Sequence, residues 1–251
     1  MTNIAAPKRK ILLTGAAGRI GTAFRTAAAD RYDFRLGIIS ADQLPPDDGQ
    51  DRIIINISNL DDCQQACQGI DTVVHLAADP SPAADFYHSL LDNNIKGTYN
   101  IFRAAKDQGC ARVIFASSIH AVDGYPQEQQ VQTSMPVQPP DMYGVSKCFG
   151  EAVGAYFATR EGLSGIAIRI GAFEAPWIDR NPTDLHLSAF ISKRDMSHLL
   201  VQAIETPGIT FAIVHGISNN RFKRLDITTT RALLGYEPQD DGFAIYRGNR
   251  S

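Results

Sequence analysis

The segment KILLTGAAGRIG, residues 10–21, contains the strongest indication of the fold of this chain. A short apolar run ends in a turn that carries Gly15, Gly18 and Gly21, and an amphipathic helix is predicted from Arg19 onward. Glycines let a backbone approach a pyrophosphate, and the start of a helix presents free N–H groups to it. Glycines alone also serve tight turns, so the prediction of a dinucleotide site depends on the strand and the helix that flank them.

Downstream of this unit, apolar runs alternate with helix-like segments up to about residue 171. The strand candidates are KILLTG, FRLGII, RIIINI, TVVHLAA, RVIFASS and GIAIRIG, and the helix candidates are 19–29, 61–68, 90–108 and 142–160. This alternation predicts an α/β fold, a Rossmann-like doubly wound parallel sheet. We assign residues 1–171 to a dinucleotide-binding core with the catalytic residues. Residues 172–251 are expected to form a small C-terminal substrate cap within the same domain, with helices at 195–205 and 228–234 and a strand at 211–215.

Composition narrows the class of partner. With 44% hydrophobic and 20% charged residues, the chain has the make-up of a globular protein. Its net charge of -3 predicts no attraction to nucleic acid or to an anionic membrane. No apolar run reaches the roughly 20 residues of a membrane span, and the four cysteines and six histidines show no metal-ligand spacing. We therefore expect a cytoplasmic protein with reduced thiols and a small-molecule ligand.

The end of the second predicted strand bears on cofactor choice. NAD sites usually carry an acid there for the ribose 2′-hydroxyl, whereas this chain has Ile38. Residues 36–51 contain four Asp and no Lys or Arg, so nothing nearby offers a charged donor to a 2′-phosphate. The pattern favours NAD and leaves NADP open. Asn56 and Ile57, at the next strand end, either flank the adenine or form an ordinary strand terminus.

Tyr143 and Lys147 stand in the motif YGVSK, where a spacing of four residues puts both on one face of a helix. A phenol is a poor base at neutral pH unless a nearby cation favours the phenolate, and Lys147 is expected to supply that cation. The alternative is a solvated helix face, on which such pairs arise by chance.

Ser118 and His120 close the predicted strand RVIFASSIH, at the edge of the sheet where doubly wound folds bind ligands. The alternation of strand side chains should aim both residues to the same side. A hydroxyl there can hydrogen-bond a substrate oxygen, and His120 would then either face the ligand or serve as a structural histidine.

Six motifs carry a resemblance to the extended short-chain dehydrogenase/reductase family: TGAAGRIG, HLAA, NNIKGTYNIFRAA, FASSIH, YGVSK and RIG. FASSIHAVDGYP, MYGVSKCFGE and HGISNN are similar, more narrowly, to the uronate dehydrogenases and the haloarchaeal NAD-dependent glucose-6-phosphate dehydrogenases. The resemblance implies a catalytic triad of Ser118, Tyr143 and Lys147, with His120 near the sugar. Ile119, in place of the usual Asn, puts uronate specificity in question, and Ile38 does the same for the cofactor.

Two sets of site residues are predicted on these grounds. At the cofactor we expect Gly15, Gly18, Arg19, Ile20, Gly21, Ile38, Asn56, Ile57, Ala77, Asn94, Tyr143, Lys147 and Ile170. At the substrate we expect Ser81, Ser118, His120, Tyr143, Gly171 and Arg180. Asn94 matches a helix asparagine that the family uses near its active site.

Arg180 is the candidate anchor for an anionic sugar. In the uronate enzymes an arginine after the motif RIG binds the sugar carboxylate, and here the corresponding loop contains Arg180. An arginine suits carboxylate, phosphate and sulfonate alike. A solvated ion pair with Asp179 or Asp184 is the alternative, and Lys193 and Arg194 are the other candidate anchors.

These observations predict a sugar 1-dehydrogenase that oxidises the anomeric hydroxyl of an aldose to a lactone with NAD or NADP. The sugar is expected to be anionic, such as a uronate, a sugar 6-phosphate or sulfoquinovose. The alternatives are a nucleotide-sugar epimerase or dehydratase and a non-catalytic dinucleotide sensor. The resemblance also implies a homodimer that forms through the two long helices.

Overall fold

A seven-stranded parallel sheet forms the centre of the computed structural model, which describes residues 8–44, 49–174 and 181–248. Strands are numbered in chain order, and those of this sheet are β1 (Lys10–Thr14), β2 (Asp33–Ile38), β3 (Asp51–Ile54), β4 (Thr72–His75), β5 (Arg112–Ser118), β6 (Ser164–Ile170) and β9 (Phe211–Gly216). Their order in the sheet is β3-β2-β1-β4-β5-β6-β9. The six predicted strands all form, and the doubly wound parallel fold is confirmed. The short strands β7 (Ala172–Phe173) and β8 (Phe190–Ile191) pair separately.

Helices cover both faces of the sheet. They are α1 (Arg19–Ala27), α2 (Leu60–Cys67), α3 (Gly97–Asp107), α4 (Met142–Glu161), α5 (Asp184–Ser188), α6 (Lys193–Glu205), α7 (Thr228–Leu234) and α8 (Gly242–Arg247). Alternate residues of β1 enter two separate cores, because strand side chains point to opposite faces. Leu13 packs in the core that includes Phe24 of α1, whereas Leu12 packs in the core that includes Phe102 of α3 and Phe157 of α4.

The helix predicted at 90–108 begins earlier and in a different form. A π-helix at Phe86–Lys96 leads directly into α3, and Asp85 caps its start by accepting a hydrogen bond from the His88 N–H at 2.8 Å. Within this wider helix Asn93 lines the central cavity while the neighbouring Asn94 is buried. The spacing of apolar residues along a short segment does not distinguish a π-helix from an α-helix, so the sequence could not indicate that the helix starts in the π form.

The C-terminal region contributes to the main sheet as well as to its surroundings. The predicted strand at 211–215 is β9, which pairs with β6 as the seventh strand. Ser192 caps α6 by accepting from the Asp195 N–H at 3.1 Å, so that this helix begins at Lys193. The region expected to form a cap therefore supplies one helix–strand unit of the core, and the boundary at residue 171 stays a prediction. None of the helices in the described ranges is long and apolar enough to cross a membrane.

Candidate active site

A cavity of about 910 Å³ opens where the carboxyl ends of the parallel strands meet. This is the edge at which doubly wound folds bind their ligands. The predicted site residues that line it are Gly15, Gly18, Arg19, Ile20, Gly21, Ile38, Asn56, Ile57, Ala77, Ser118, His120, Tyr143, Lys147, Ile170 and Gly171. Ser81 and Asn94 do not line it, and Arg180 lies outside the described residues. No three His, Cys, Asp or Glu side chains of the described ranges form a metal-type cluster.

The glycine turn after β1 fits a dinucleotide pyrophosphate. Gly15 has a φ of +69°, and a Cβ on it would lie 2.9 Å from the Ala77 nitrogen. A Cβ on Gly21 would lie 2.4 Å from the Gly15 carbonyl oxygen, so the turn and α1 can only pack this closely with glycine there. Gly18 is the N-cap of α1 and places no side chain on the first-turn N–H groups. These groups therefore remain available to an anion.

The end of β2 presents an apolar wall to this cavity. Ile38 lines it, but its side chain is only 4% exposed and packs in the core, whereas Ile39 is 72% exposed. Gln43 also lines this wall, and its side-chain oxygen accepts from the Ile39 N–H at 2.9 Å. No lining residue described at this strand end is charged apart from Arg19, whose guanidinium donates to the Glu174 carbonyl oxygen at 3.3 Å.

Lys147 is buried and has no carboxylate partner among the described residues. Its Nζ donates to the Ala116 carbonyl oxygen at 2.9 Å and lies 5.2 Å from the centre of the Phe115 ring. Burial lowers its pKa to about 8. An ammonium has three donors, so two remain for a ligand, and a buried lysine of this kind is typical of a functional site.

Desolvation dominates the environment of the Tyr143 phenol. Burial raises its pKa, the hydrogen bond from Ser118 lowers it, and the carboxylates of Asp141 and Asp79 raise it further. The Lys147 Nζ lies 5.4 Å from the centre of the phenol ring. Desolvation is the largest of these effects, and the expected effect of Lys147 on the tyrosine pKa stays a prediction.

His120 reaches the cavity by a different route from the one predicted. β5 ends at Ser118, and the chain turns through a 3-10 helix at Ile119–Ala121, so strand alternation does not extend to His120. The Ser118 Oγ accepts from the His120 N–H at 3.2 Å and thereby starts this turn. The His120 Nδ1 lies 2.7 Å from Asp141 Oδ2, and its ring packs edge-on against Tyr143 with centres 5.4 Å apart.

Asn94 positions the loop after β4 and does not reach the cavity wall. Its side-chain oxygen accepts from the Asp79 N–H at 2.9 Å, and its amide nitrogen donates to the Asp79 carbonyl at 3.1 Å and to Ser146 Oγ at 3.0 Å. These bonds tie the loop to α4. Ser81 is exposed on the same loop, where its N–H donates to Asp79 Oδ1 at 2.9 Å. Both residues therefore act on the site through Asp79 in this structure, and their predicted ligand contacts stay predictions.

A buried ion pair lies beneath the candidate catalytic residues. Arg169 of β6 binds both oxygens of Glu151 on α4 at 2.8 Å, and Ser117 Oγ donates to the same carboxylate at 2.6 Å. The three side chains are at most 4% exposed. Breaking such a pair leaves a buried charge, so this cluster holds β5, β6 and α4 together under the site.

Several residues of the substrate end escaped sequence reasoning. Asp79 begins the turn 79–82, which the sequence places beside the active site with Ser81 as its sugar contact, whereas the following residues were not predicted: Asn93, Asp123, Phe173, Leu185, His186 and Ala189. The position of Asp79, directly after the motif HLAA at a strand end, is a signal that could have identified this residue itself. The others come from separate loops and helices, and no local pattern marks them.

The two alternative anchors for an anion are paired elsewhere. Lys193 lies 3.4 Å from Glu174, and Arg194 forms a two-pronged pair with Asp240. Neither residue lines the cavity as described. Both are thus held as solvent-facing partners of carboxylates, and Arg180 stays the candidate from the sequence.

Comparisons with known proteins agree with this geometry. Residues 11–207 match the model of the NAD dependent epimerase/dehydratase family. The chain is 35% identical to the NAD-dependent glucose-6-phosphate dehydrogenase of Haloferax volcanii, over 92% of this chain and 93% of that protein. It is 33% identical to the L-arabinose 1-dehydrogenase (NAD(P)(+)) of the same organism, over 94% of this chain and 98% of that protein.

A solved structure extends the likeness to three dimensions. A mutant of the uronate dehydrogenase from Agrobacterium tumefaciens, complexed with NAD, superposes with a TM-score of 0.83 at 29% identity. The match covers 96% of this chain and 88% of that chain. The similarity therefore spans the glycine turn, the catalytic motifs and the C-terminal region.

Proposed function

The chain belongs to the NAD dependent epimerase/dehydratase family, and we propose that it is an NAD(P)-dependent sugar 1-dehydrogenase. It oxidises the C1 hydroxyl of an aldose to the lactone. The observation that carries this proposal is one cavity lined both by the glycine turn and by Ser118, Tyr143 and Lys147. Two sugar dehydrogenases, to which the chain is similar over nearly their full length, support the reaction type.

The side chains divide the work at the reacting carbon. Tyr143, in its deprotonated form, takes the proton of the C1 hydroxyl, and Ser118 Oγ hydrogen-bonds the same oxygen and stabilises its developing charge. Lys147 holds positive charge beside the phenol ring and has two N–H donors for ribose hydroxyls. The bound dinucleotide supplies the acceptor for the hydride that leaves C1.

The substrate is an aldose with a polar or anionic group at C6. Arg180 is the proposed anchor for a carboxylate or phosphate, and nothing of its placement is described. The described substrate end carries Asp79, His120, Asp123 and His186, groups that hydrogen-bond sugar hydroxyls. Arg19 and Lys147 are the Lys and Arg residues of the described cavity wall, and both lie toward the cofactor end. Recognition of an anion at C6 therefore depends on Arg180 in this proposal.

The cofactor is NAD, with limited discrimination against NADP. An acid at the end of β2 would repel a 2′-phosphate, whereas the described wall there offers Ile38, Ile39 and Gln43. The missing carboxylate removes that repulsion. The missing cation equally removes a specific partner for the phosphate.

A direct absorbance assay tests the proposed function. The purified chain is mixed with NAD or NADP and with glucuronate, galacturonate, glucose 6-phosphate, arabinose or glucose, and reduced nicotinamide is followed. A sugar 1-dehydrogenase gives a signal with at least one aldose, and Tyr143→Phe loses it. An epimerase would interconvert sugars without a net signal, and a sensor would bind the dinucleotide without either change.

The proposed partner of the chain, besides its sugar, is a second copy. The outer faces of the π-helix, α3 and α4 expose apolar side chains that have no cover in the monomer. Among them Tyr99 is 46% exposed, Val145 is 39% and Tyr156 is 52%. Burying such a patch favours a homodimer. Light scattering should give a dimer mass, and Tyr156→Glu should shift it toward the monomer.

We further propose a cytoplasmic location. All four cysteines are free thiols, and none is fully exposed. A reducing compartment suits such a chain, because disulfides are rare there.

A further inference from the structure

We infer that Asp141 is a positioning residue that fixes the tautomer of His120 and makes its Nε2 a hydrogen-bond acceptor for the sugar. The contact between His120 and the sugar rests on the proposed function, whereas the assignment of the tautomer does not. The geometry that leads to this assignment involves one carboxylate with two distinct partners.

Asp141 uses each oxygen for a different purpose. Its Oδ1 accepts from the Gly144 N–H at 2.7 Å and so caps α4, the helix that carries Tyr143 and Lys147. Its Oδ2 lies 2.7 Å from His120 Nδ1. A carboxylate only accepts hydrogen bonds, so the hydrogen between them belongs to Nδ1. In the neutral ring Nε2 then has a free lone pair and no hydrogen.

The surroundings of His120 leave the Nε2 lone pair available to a ligand in the cavity. The described residues offer no hydrogen bond to Nε2, and the ring lines the cavity with 27% of its side chain exposed. Its backbone N–H is bound to Ser118 Oγ, and its edge packs on the Tyr143 ring. His120 therefore contacts both residues that are proposed to bind the C1 oxygen.

An acceptor at this place selects a hydrogen-bond donor on the substrate. Ser118 and Tyr143 engage the oxygen at C1, so the partner of His120 Nε2 is a hydroxyl next to that carbon. The opposite tautomer would present an N–H there. The sugar hydroxyl would then accept that hydrogen bond, and its own hydrogen would have no acceptor on His120. Because buried polar groups discriminate by their pairing, a wrong tautomer weakens binding of the sugar and not of the dinucleotide.

Asp141→Asn is the decisive variant, since it reverses one contact and keeps the other. The amide oxygen continues to accept from the Gly144 N–H, which preserves the cap of α4. The amide nitrogen then faces His120 Nδ1 and donates to it, so the hydrogen of the ring moves to Nε2. Asp141→Ser is the matched control: a serine caps a helix equally well, but its short side chain does not reach His120.

The tautomer is read by 15N NMR of the full chain labelled at histidine, without sugar or dinucleotide. The signals of His120, among six histidines, are assigned by their loss in His120→Gln. We expect a protonated Nδ1 in the wild type, a protonated Nε2 in Asp141→Asn and a mixture in Asp141→Ser. A protonated Nε2 in the wild type, or no change in Asp141→Asn, would overturn the assignment.

Kinetics then test the role toward the sugar. Asp141→Asn should raise KM for the best aldose by about ten- to a hundredfold, with little change in KM for the dinucleotide. Asp141→Ser should show a smaller rise, and the melting temperatures of both variants should stay close to that of the wild type. Equal losses in both variants, which both keep the helix cap, would mean that losing the carboxylate and not reversing the tautomer weakens sugar binding, and the assignment would fail. If no aldose is oxidised, the proposed function fails while the NMR result still decides the tautomer.

Discussion

The two ends of the cavity are built in different ways. The cofactor end is made by backbone: three glycines within residues 15–21 and the open N-terminus of α1, beside the apolar walls of Ile20 and Ile57. The proposed sugar end is made by side chains such as Asp79, Ser118 and His186, which come from separate segments. A backbone site tolerates little change in shape, because a Cβ on Gly21 would clash. A side-chain site can change its ligand by single substitutions, so the proposed function assigns specificity for the sugar to this end.

Tyr143→Phe should have the largest effect and should separate the two ends. It deletes the proton acceptor and barely changes the shape of the side chain. Turnover should fall by about 10²- to 10⁴-fold, while the Kd for NAD, measured by calorimetry, stays within about twofold. A variant that keeps most of the wild-type rate would refute the role of Tyr143, and a parallel loss of NAD binding would mean that the two ends are not independent.

Lys147→Met should inactivate the protein and stabilise it. Rate and dinucleotide affinity should both fall, because one ammonium serves both ends of the cavity. Burial lowers the Lys147 pKa to about 8, so below that pH the folded chain bears the cost of a buried charge. At about 1.4 kcal/mol per pKa unit, and after loss of the bond to Ala116, the gain is about 2 kcal/mol.

The stability gain of Lys147→Met depends on pH, and the lowered pKa of Lys147 sets the direction of that dependence. The unfolded lysine keeps its proton to about pH 10.4, whereas the folded one loses it near 8, so wild-type stability rises between these values. The advantage of Lys147→Met should therefore be full below pH 8 and shrink as the pH rises through that range. Urea unfolding at several pH values measures it. A constant difference would show that packing, and not the charge, separates the two proteins.

Arg180→Ala tests the charge of the substrate at the sugar end. A charge-assisted bond is worth roughly 1.5 to 3 kcal/mol, so KM for an anionic aldose should rise about ten- to a hundredfold. Neutral aldoses should be almost unaffected, and Arg194→Ala, which removes a partner of Asp240 outside the cavity, serves as the control. Equal losses for charged and neutral sugars would mean that Arg180 shapes the loop and binds no anion.

An acid at the end of β2 should have the smallest effect. The sequence alone points to Ile38→Asp, but the Ile38 side chain is buried while that of Ile39 is exposed. Ile39→Asp should thus lower kcat/KM for NADP relative to NAD by about three- to tenfold through repulsion of the 2′-phosphate. Ile38→Asp should shift the ratio the same way and also lower the melting temperature. An unchanged ratio in both variants would show that this strand end does not face the ribose.

Much of the fold follows from local pattern. Six strands and the helices between them were predicted, because apolar runs bounded by glycine turns and amphipathic stretches are local properties. The seventh strand, β9, was recognised as a strand and assigned to a cap. Its place beside β6 depends on pairing between Gly165–Ile170 and Phe211–Gly216, which no local pattern contains.

The candidate cofactor end could be predicted from local sequence, because Gly15, Gly18 and Gly21 act through backbone geometry that a few neighbouring residues specify. The sequence by itself also determined that Tyr143 and Lys147 share one helix face. The electrostatics of the site follow from the packing of the folded chain, since burial raises the pKa of Tyr143 and lowers that of Lys147. The tertiary structure alone brought Asp141 to His120, residues 21 positions apart whose contact requires the turn after β5 to meet the start of α4. Desolvation and long-range contact depend on the packing of the whole chain, which is why no motif reveals them.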